Sequence, residues 1–225
     1  TLPDGGPNRD EKKSANPIEM LREIFAGWSH ILERPQIRRI VLAKGAWASG
    51  GGAQIMLIVL VGMEAGFGDV AAGIGIVYLC RGFGSGFGPL VARPLMAMPK
   101  VMPYLIGFAL FGAGLLYTGV ATFEWGILTL VCIFFSHACS GVSWVFSTTL
   151  LQRRAADAYL GRVSGTDNLI ITLTMGVSTI LAGFAMEEGL FQLREMLLLT
   201  AFIQISMGIL WLTFASPREK AFMGS

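Results

Sequence analysis

The chain has 225 residues, 53% of them hydrophobic and only 14% charged, with a net charge of +2 and a mean hydropathy of +0.62. Soluble domains carry roughly 25% charged residues, so this balance excludes a soluble globular protein and describes a membrane one. Cys80, Cys132 and Cys139 stand at no metal-ligand spacing and inside apolar stretches, which argues against zinc and against a disulfide framework.

The chain opens with Thr rather than Met, so Thr1 is expected to follow a processed residue or a longer upstream segment. No cleavable signal sequence is visible in TLPDGGPNRDEKKSANP. Residues 1–16 are rich in Pro, Gly, Asp and Lys and read as a mobile cytoplasmic linker. From 17 to 34 the pattern changes. Asn16 can cap, Pro17 suits a first helical position and Glu19 stands three after the cap, the signals of a helix start. Ile18, Leu21, Phe25, Trp28 and Leu32 then recur at helical steps, with Arg22, Glu23 and His30 away from that face. The spacing predicts an amphipathic interfacial helix, either lying on the cytoplasmic membrane surface or packed on the bundle's own loops. Pro35 should break it, and Arg38 and Arg39 should anchor the next element.

A helix needs about 20 apolar residues to cross a hydrocarbon layer about 30 Å thick, and only helices or closed barrels satisfy their backbone there. Six stretches qualify, roughly 40–63, 70–92, 101–121, 125–150, 166–186 and 196–215. The predicted fold class is therefore an all-α membrane protein, with six transmembrane helices over 35–216 and a cytoplasmic tail over 217–225. Spans one and four carry polar and aromatic residues while three and six are greasy, which suggests a three-plus-three bundle.

In the first span Lys44, Trp47, Gly51 and Gln54 share one helical face. Lys44 either snorkels to the nearby cytoplasmic end or lines an internal cavity. The second span contains RGFGSGFGP, with Arg81 near its middle and glycines 82, 84, 86 and 88 after it. That spacing matches neither a dinucleotide fingerprint nor a phosphate loop. Gly82 with Gly86, and Gly84 with Gly88, instead read as small-residue pairs for close helix packing, and Pro89 as a bend. A guanidinium at mid-bilayer costs at least about 2.5 to 3.5 kcal/mol, so Arg81 must face the bundle interior or water. It meets either an anionic group, from a solute or an absent partner, or carbonyls and hydroxyls of neighbouring spans. The fourth span carries His137, Ser140, Trp144 and Ser147 on one face, and the fifth carries Asn168, Thr172 and Thr179 with Asp167 beside them. His137 is either a proton carrier or a buried neutral imidazole bonded to a carbonyl. Trp47 and Trp144 either pack or stack on a ligand. Gln204 stands alone in the sixth span.

Charges sort by side. With the N-terminus inside, Arg34, Arg38, Arg39, Arg93, Lys100, Arg153, Arg154, Arg162, Arg218 and Lys220 fall on the cytoplasmic side, whereas Arg194 falls opposite with Glu64, Asp69, Glu124, Glu187, Glu188 and Glu195. Both termini are therefore expected in the cytoplasm.

LQRRAADAYLGRVSGTDNL, residues 151–169, resembles the cytoplasmic loop of major facilitator superfamily transporters, whose Arg-Gly-Arg-Val signature reads here Leu160, Gly161, Arg162, Val163. FAGWSHILERPQIRRIVLAKG, residues 25–45, is similar to that family's approach to its seventh span. The resemblance covers about 18–215 and implies the carboxy-terminal six-helix half of a twelve-span transporter. It implies as partners the lipid bilayer, an amino-terminal six-span half or another membrane subunit, and a small-molecule solute, with no nucleic acid and no cofactor. The implied location is the bacterial inner (cytoplasmic) membrane. Its cavity would be lined by Arg81, Lys44, Trp47, Gln54, His137, Ser140, Trp144, Asn168 and Thr172, and its cytoplasmic loop motif would use Gly161, Arg162 and Arg93. One departure stands out: where the family carries an acid in its latch after the second span, Gly88-Pro89-Leu90-Val91-Ala92-Arg93-Pro94 has none.

The expected function is half of an alternating-access secondary transporter for a small amphipathic or anionic solute. The alternative is a transport-inactive, transporter-like subunit with a structural or regulatory role in a larger membrane assembly. An enzyme is not expected, because paired carboxylates, a His-rich cluster and a Ser-His-Asp set are all missing from the spans.

Overall fold

The structure, a computed structural model, describes residues 17–222; the predicted linker, 1–16, and residues 223–225 of the predicted tail lie outside the described residues. Six of its helices are long and apolar enough to cross a membrane, and the protein is read as integral to one.

Helix α1 runs Pro17–Glu33 and α2 Pro35–Glu64, with Pro35 at a helix start where its missing N–H costs nothing. A tight turn with Gly66 and Gly68 at positive φ leads to α3, Val70–Ala92. Asp69 caps α3 by accepting from the Ala72 amide at 2.7 Å. After a short 3-10 turn at Arg93–Ala97 come α4, Met102–Thr122, and α5, Ile127–Arg154. Then follow α6, Leu160–Glu187, and α7, Leu193–Leu210, which Gln192 and Glu195 start with a reciprocal capping box. A π turn, Trp211–Ala215, joins α7 to α8, Ser216–Phe222, so the segment read from the sequence as a tail continues as helix to the last described residue.

The packing has an internal order. Helix α3 lies against α5 and α6 against α2, while α4 fills the space between α5 and α7. Close approach depends on glycine. On α3, a Cβ at Gly84 would strike the Phe134 carbonyl and one at Gly88 the Ala138 carbonyl, and on α5 one at Gly141 would strike the Ser85 carbonyl. Pro89 has no N–H to give that Ser85 carbonyl, and the carbonyl it leaves without a helical donor is the one seated against Gly141. Gly82 and Gly86, the other predicted pair, meet nothing within 4 Å and lie on an open face of α3. The small-xxx-small spacing occurs on two faces of one helix, and a neighbour covers only one.

Helices α3 and α6 are the least enclosed, with 17% and 11% of their central windows buried against 56% for α2. Two apolar clusters hold the bundle. Leu57, Val61, Val77, Tyr117, Ile133 and Leu197 fill the end that carries the acidic loops; Ile37, Ile40, Met102, Ile106, Phe146 and Leu151 fill the basic end. The polar side chains of α2, α5 and α7 fall between these clusters.

Helix α1 docks on α6 by a narrow edge. A Cβ at Gly27 would lie 2.6 Å from Thr166 Oγ1 and 2.8 Å from the Arg162 carbonyl. His30 stacks on Tyr159 with ring centroids 4.3 Å apart, and Arg162 reaches Glu23 at 3.5 Å. The sequence reading set His30 aside from the helix's working face; it sits on the docking edge, buried. Ile18, Leu21, Phe25, Trp28 and Leu32 stay exposed, the disposition required of a helix seated at a membrane surface. The reading of a helix packed on the bundle thus describes one edge of α1, and its opposite face is exposed and apolar.

Candidate functional site

A cavity of about 180 Å³, lined by polar and apolar side chains together, opens between α2, α3, α5 and α6, midway along the bundle. Helix α2 contributes Trp47, Gly51 and Gln54, α3 contributes Arg81 and Ser85, α5 contributes His137, Ser140, Gly141 and Trp144, and α6 contributes Met175. Trp47, Gln54, His137, Ser140 and Trp144, picked out by helical spacing, and Arg81, picked out by its charge at mid-span, meet around this one space.

Arg81 stands near the centre of α3 and is half-buried. Its guanidinium has no hydrogen-bond or ion-pair partner among the described residues, and the Tyr78 ring lies 5.5 Å from Cζ to centroid. Ser85 turns back to donate to the Arg81 carbonyl at 2.9 Å, leaving the guanidinium to the cavity.

His137 is buried, with Nδ1 2.9 Å from the Ile133 carbonyl. A carbonyl only accepts, so the proton of the neutral ring is on Nδ1 and Nε2 is left as an acceptor. Tyr117 backs the ring at 5.8 Å. Gln54 is committed elsewhere: its Oε1 accepts from Gln204 Nε2 at 3.0 Å and its Nε2 donates to Thr200 Oγ1 at 3.4 Å. This makes Gln204, uninformative in the sequence, the cross-link of α7 to the cavity wall.

Trp47 and Trp144 meet with centroids 5.5 Å apart at 50°, and the Trp47 Nε1 is buried without a partner. Behind them lies Lys44. It does not line the cavity and it does not snorkel. Its Nζ is ion-paired with Asp167, donates to Thr148 Oγ1 at 3.1 Å and lies 4.7 Å over the Trp144 ring. A carboxylate within reach is a better partner for a buried ammonium than a stretched path to water, and Asp167, noted in the sequence beside the polar face of the fifth span, supplies it. Asn168 and Thr172 do not line the cavity either; both are exposed on α6, because Asp167 and Ile171 are the residues turned inward. Thr179 and Ser178 bind α6 to α2 instead, Thr179 donating to the Gly52 carbonyl at 2.8 Å and Ser178 to the Ser49 carbonyl.

Of the loop motif, Arg162 serves the α1 contact, Gly161 is exposed and Arg93 is exposed at the close of α3. The basic end is instead tied together by Glu219 of α8. It is fully buried and paired with Arg39 at 2.6 Å and with Arg154, which also donates to the Gln36 carbonyl at 3.1 Å. No sequence motif announced this arrangement. Among the described residues no three of His, Cys, Asp and Glu come together in a way that could hold a metal ion.

Sequence spacing does not single out Ile55, Ser85, Gly141, Val145 or Met175, which also line the cavity. Gly141 was detectable as the small residue between Ser140 and Trp144; Met175 carries no polar signal at all. In comparisons with protein-family models, curated proteins and solved structures, the chain matches none.

Proposed function

We propose that this chain is the carboxy-terminal half of a secondary transporter of the major facilitator type, and that the Arg81 cavity is its share of a solute site. The observation that carries this reading is an unpaired guanidinium near the middle of its span, lining one cavity with His137, Ser140 and the indoles of Trp47 and Trp144. Such a charge is costly unless a wet space or an anion receives it. A cation, the Ser140 hydroxyl and aromatic walls suit a small amphipathic anion, whose charge meets Arg81 and whose apolar part lies on Trp47 and Trp144.

The helix order supports the same reading. Exchanging α2 with α5, α3 with α6 and α4 with α7 maps the α3 to α5 contact onto α6 to α2, and the α4 to α7 contact onto itself. These two correspondences support two three-helix repeats around a midplane site, although the α2 to α3 contact has no α5 to α6 counterpart of similar extent. The open faces of α3 and α6, which flank the cavity, suit the approach of a second six-span half. The basic end is then cytoplasmic by its Arg and Lys content, in the bacterial inner membrane.

A second reading is a transport-inactive subunit. Arg93 without a latch acid favours it, as does the use of Glu219 to tie the basic end shut on itself.

Tryptophan fluorescence of the full chain in detergent, titrated with acetate, benzoate and octanoate, separates the two. The transporter reading predicts saturable quenching that strengthens with the apolar part of the anion and disappears in Arg81→Gln. Absence of an Arg81-dependent signal with all three anions contradicts it and favours the subunit.

A further inference from the structure

The perimeter of the bundle carries a groove whose chemistry differs from that of the central cavity. It holds about 400 Å³ between α2, α4, α7 and the π turn. Its walls are aliphatic and aromatic, chiefly Leu42, Ala46, Leu110, Met207, Leu210 and Phe214, and its end at the basic side is bounded by Arg39 and Arg218. Leu42 and Phe214 are well exposed, so the groove opens sideways, toward the hydrocarbon, rather than inward.

The π turn shapes this wall. A turn widened by one residue rotates the side chains beyond it relative to those before it. Trp211 is turned inward, its Nε1 donating to the Pro103 carbonyl at 2.6 Å, while Phe214 is left outward along the groove. The Pro103 carbonyl also accepts from Ser216 at 3.1 Å, which fixes the start of α8 and so the position of Arg218 at the rim.

The rim is cationic in excess. Arg39 donates through Nε to Glu219, but Glu219 is shared with Arg154, and Arg218 is exposed alongside. Two guanidiniums, Arg39 and Arg218, stand at the rim, and no acidic residue lines the groove among the described residues. An apolar slot open to the bilayer and closed at the headgroup level by cations fits one chemical shape.

We propose that this groove is a binding site for one anionic glycerophospholipid of the leaflet at the basic end. An acyl chain occupies the slot along Leu42, Ala46, Met207 and Phe214, and the headgroup phosphate meets Arg39 and Arg218. A zwitterionic lipid carries its own cation toward the same arginines and binds less well. A larger groove between α6 and α7, about 600 Å³, has no cation on its lining and supplies the internal contrast: it offers lipid tails space with no selection by headgroup. The bound lipid would bridge the start of α2 to the π turn and α8, elements otherwise joined through Glu219. The proposal does not depend on transport.

Native mass spectrometry of the full chain, released from detergent with phosphatidylglycerol and phosphatidylcholine at equal concentration, tests it. The wild-type chain should retain phosphatidylglycerol in preference. Arg218→Gln, at an exposed position, should weaken that retention about fivefold, the worth of one cation near an anionic headgroup. Ala46→Trp should fill the slot and abolish it with no change in thermal unfolding of the lipid-free protein. Arg93→Gln, an exposed cation at the same end but away from the groove, should leave retention as it was, and inorganic phosphate should not displace the lipid. Equal retention of the two lipids, undiminished retention in Arg218→Gln, the same loss in Arg93→Gln, or displacement by phosphate would each overturn the proposal. The Arg218→Gln arm decides by itself if Ala46→Trp fails to fold.

Discussion

Lys44 and Asp167 stand 123 positions apart in the chain and form an ion pair with both side chains 4% exposed, joining α2 to α6. The second Asp167 oxygen, Oδ1, is buried without a hydrogen bond. Charge balance for these two buried groups thus rests on their mutual contact, with Thr148 and the Trp144 ring as secondary partners of the ammonium.

Removing one member strands the other. Asp167→Ala should therefore cost about 3 to 5 kcal/mol of stability, while replacing both partners, as in Lys44→Met with Asp167→Leu, should recover most of that loss. Thermal unfolding in detergent across the single and double variants measures it. Additive losses in the double variant would mean the two charges do not depend on each other.

Glycine at the α3 to α5 crossing has a sign test. Gly88→Val forces a side chain into the Ala138 carbonyl and should destabilise by at least about 1 to 3 kcal/mol. Gly86→Ala, where a Cβ meets nothing, should be neutral or stabilise by up to about 1 kcal/mol through helix propensity. Unfolding midpoints that fall equally in both variants would put the crossing on the wrong face of α3.

The docking of α1 should weaken in mild acid. Burial, with Arg34 beside it, holds the His30 imidazole below its ordinary value of 6.5, Glu33 opposing. The undocked helix therefore binds the proton more readily than the docked one, so stability rises with pH and is lost as pH falls below about 6.5. Hydrogen exchange over residues 17–33 should quicken between pH 7 and pH 5 in the wild-type chain and stay flat in His30→Phe, which keeps a ring against Tyr159. Exchange independent of pH in the wild type would show that His30 carries no such linkage.

Much of the architecture is legible in the residues. Hydropathy finds all six spans, because burial in lipid demands long apolar runs whatever the tertiary contacts are. It misses their basic ends: α2 begins at Pro35 and α6 at Leu160, each several residues before its apolar core. Those added turns hold Arg39 and Arg162, whose partners are Glu219 and Glu23, residues that no local pattern identifies.

The same division runs through the site. Trp47, Gln54, His137 and Trp144 are found because polar groups at helical spacing in a span must turn toward the interior. Asn168 and Thr172 obey the same spacing and turn outward, since periodicity defines a face but says nothing about which neighbour covers it. Lys44 shows the other gap: its partner is set by the packing of α6 on α2, through Gly52 and Ser178, and not by any spacing along α2.

The central claim is that Arg81 borders a water-filled space rather than lipid, and accessibility of a neighbouring thiol tests it most directly. In a chain with Cys80, Cys132 and Cys139 changed to Ala, Ser85→Cys lines the cavity one turn from Arg81, whereas Phe108→Cys lies exposed on the outer side of α4. In phosphatidylcholine vesicles a charged, membrane-impermeant thiol reagent should modify Ser85→Cys and leave Phe108→Cys untouched. Equal resistance of both positions would contradict the account, because an Arg81 surrounded by lipid or by dry protein could receive no solute.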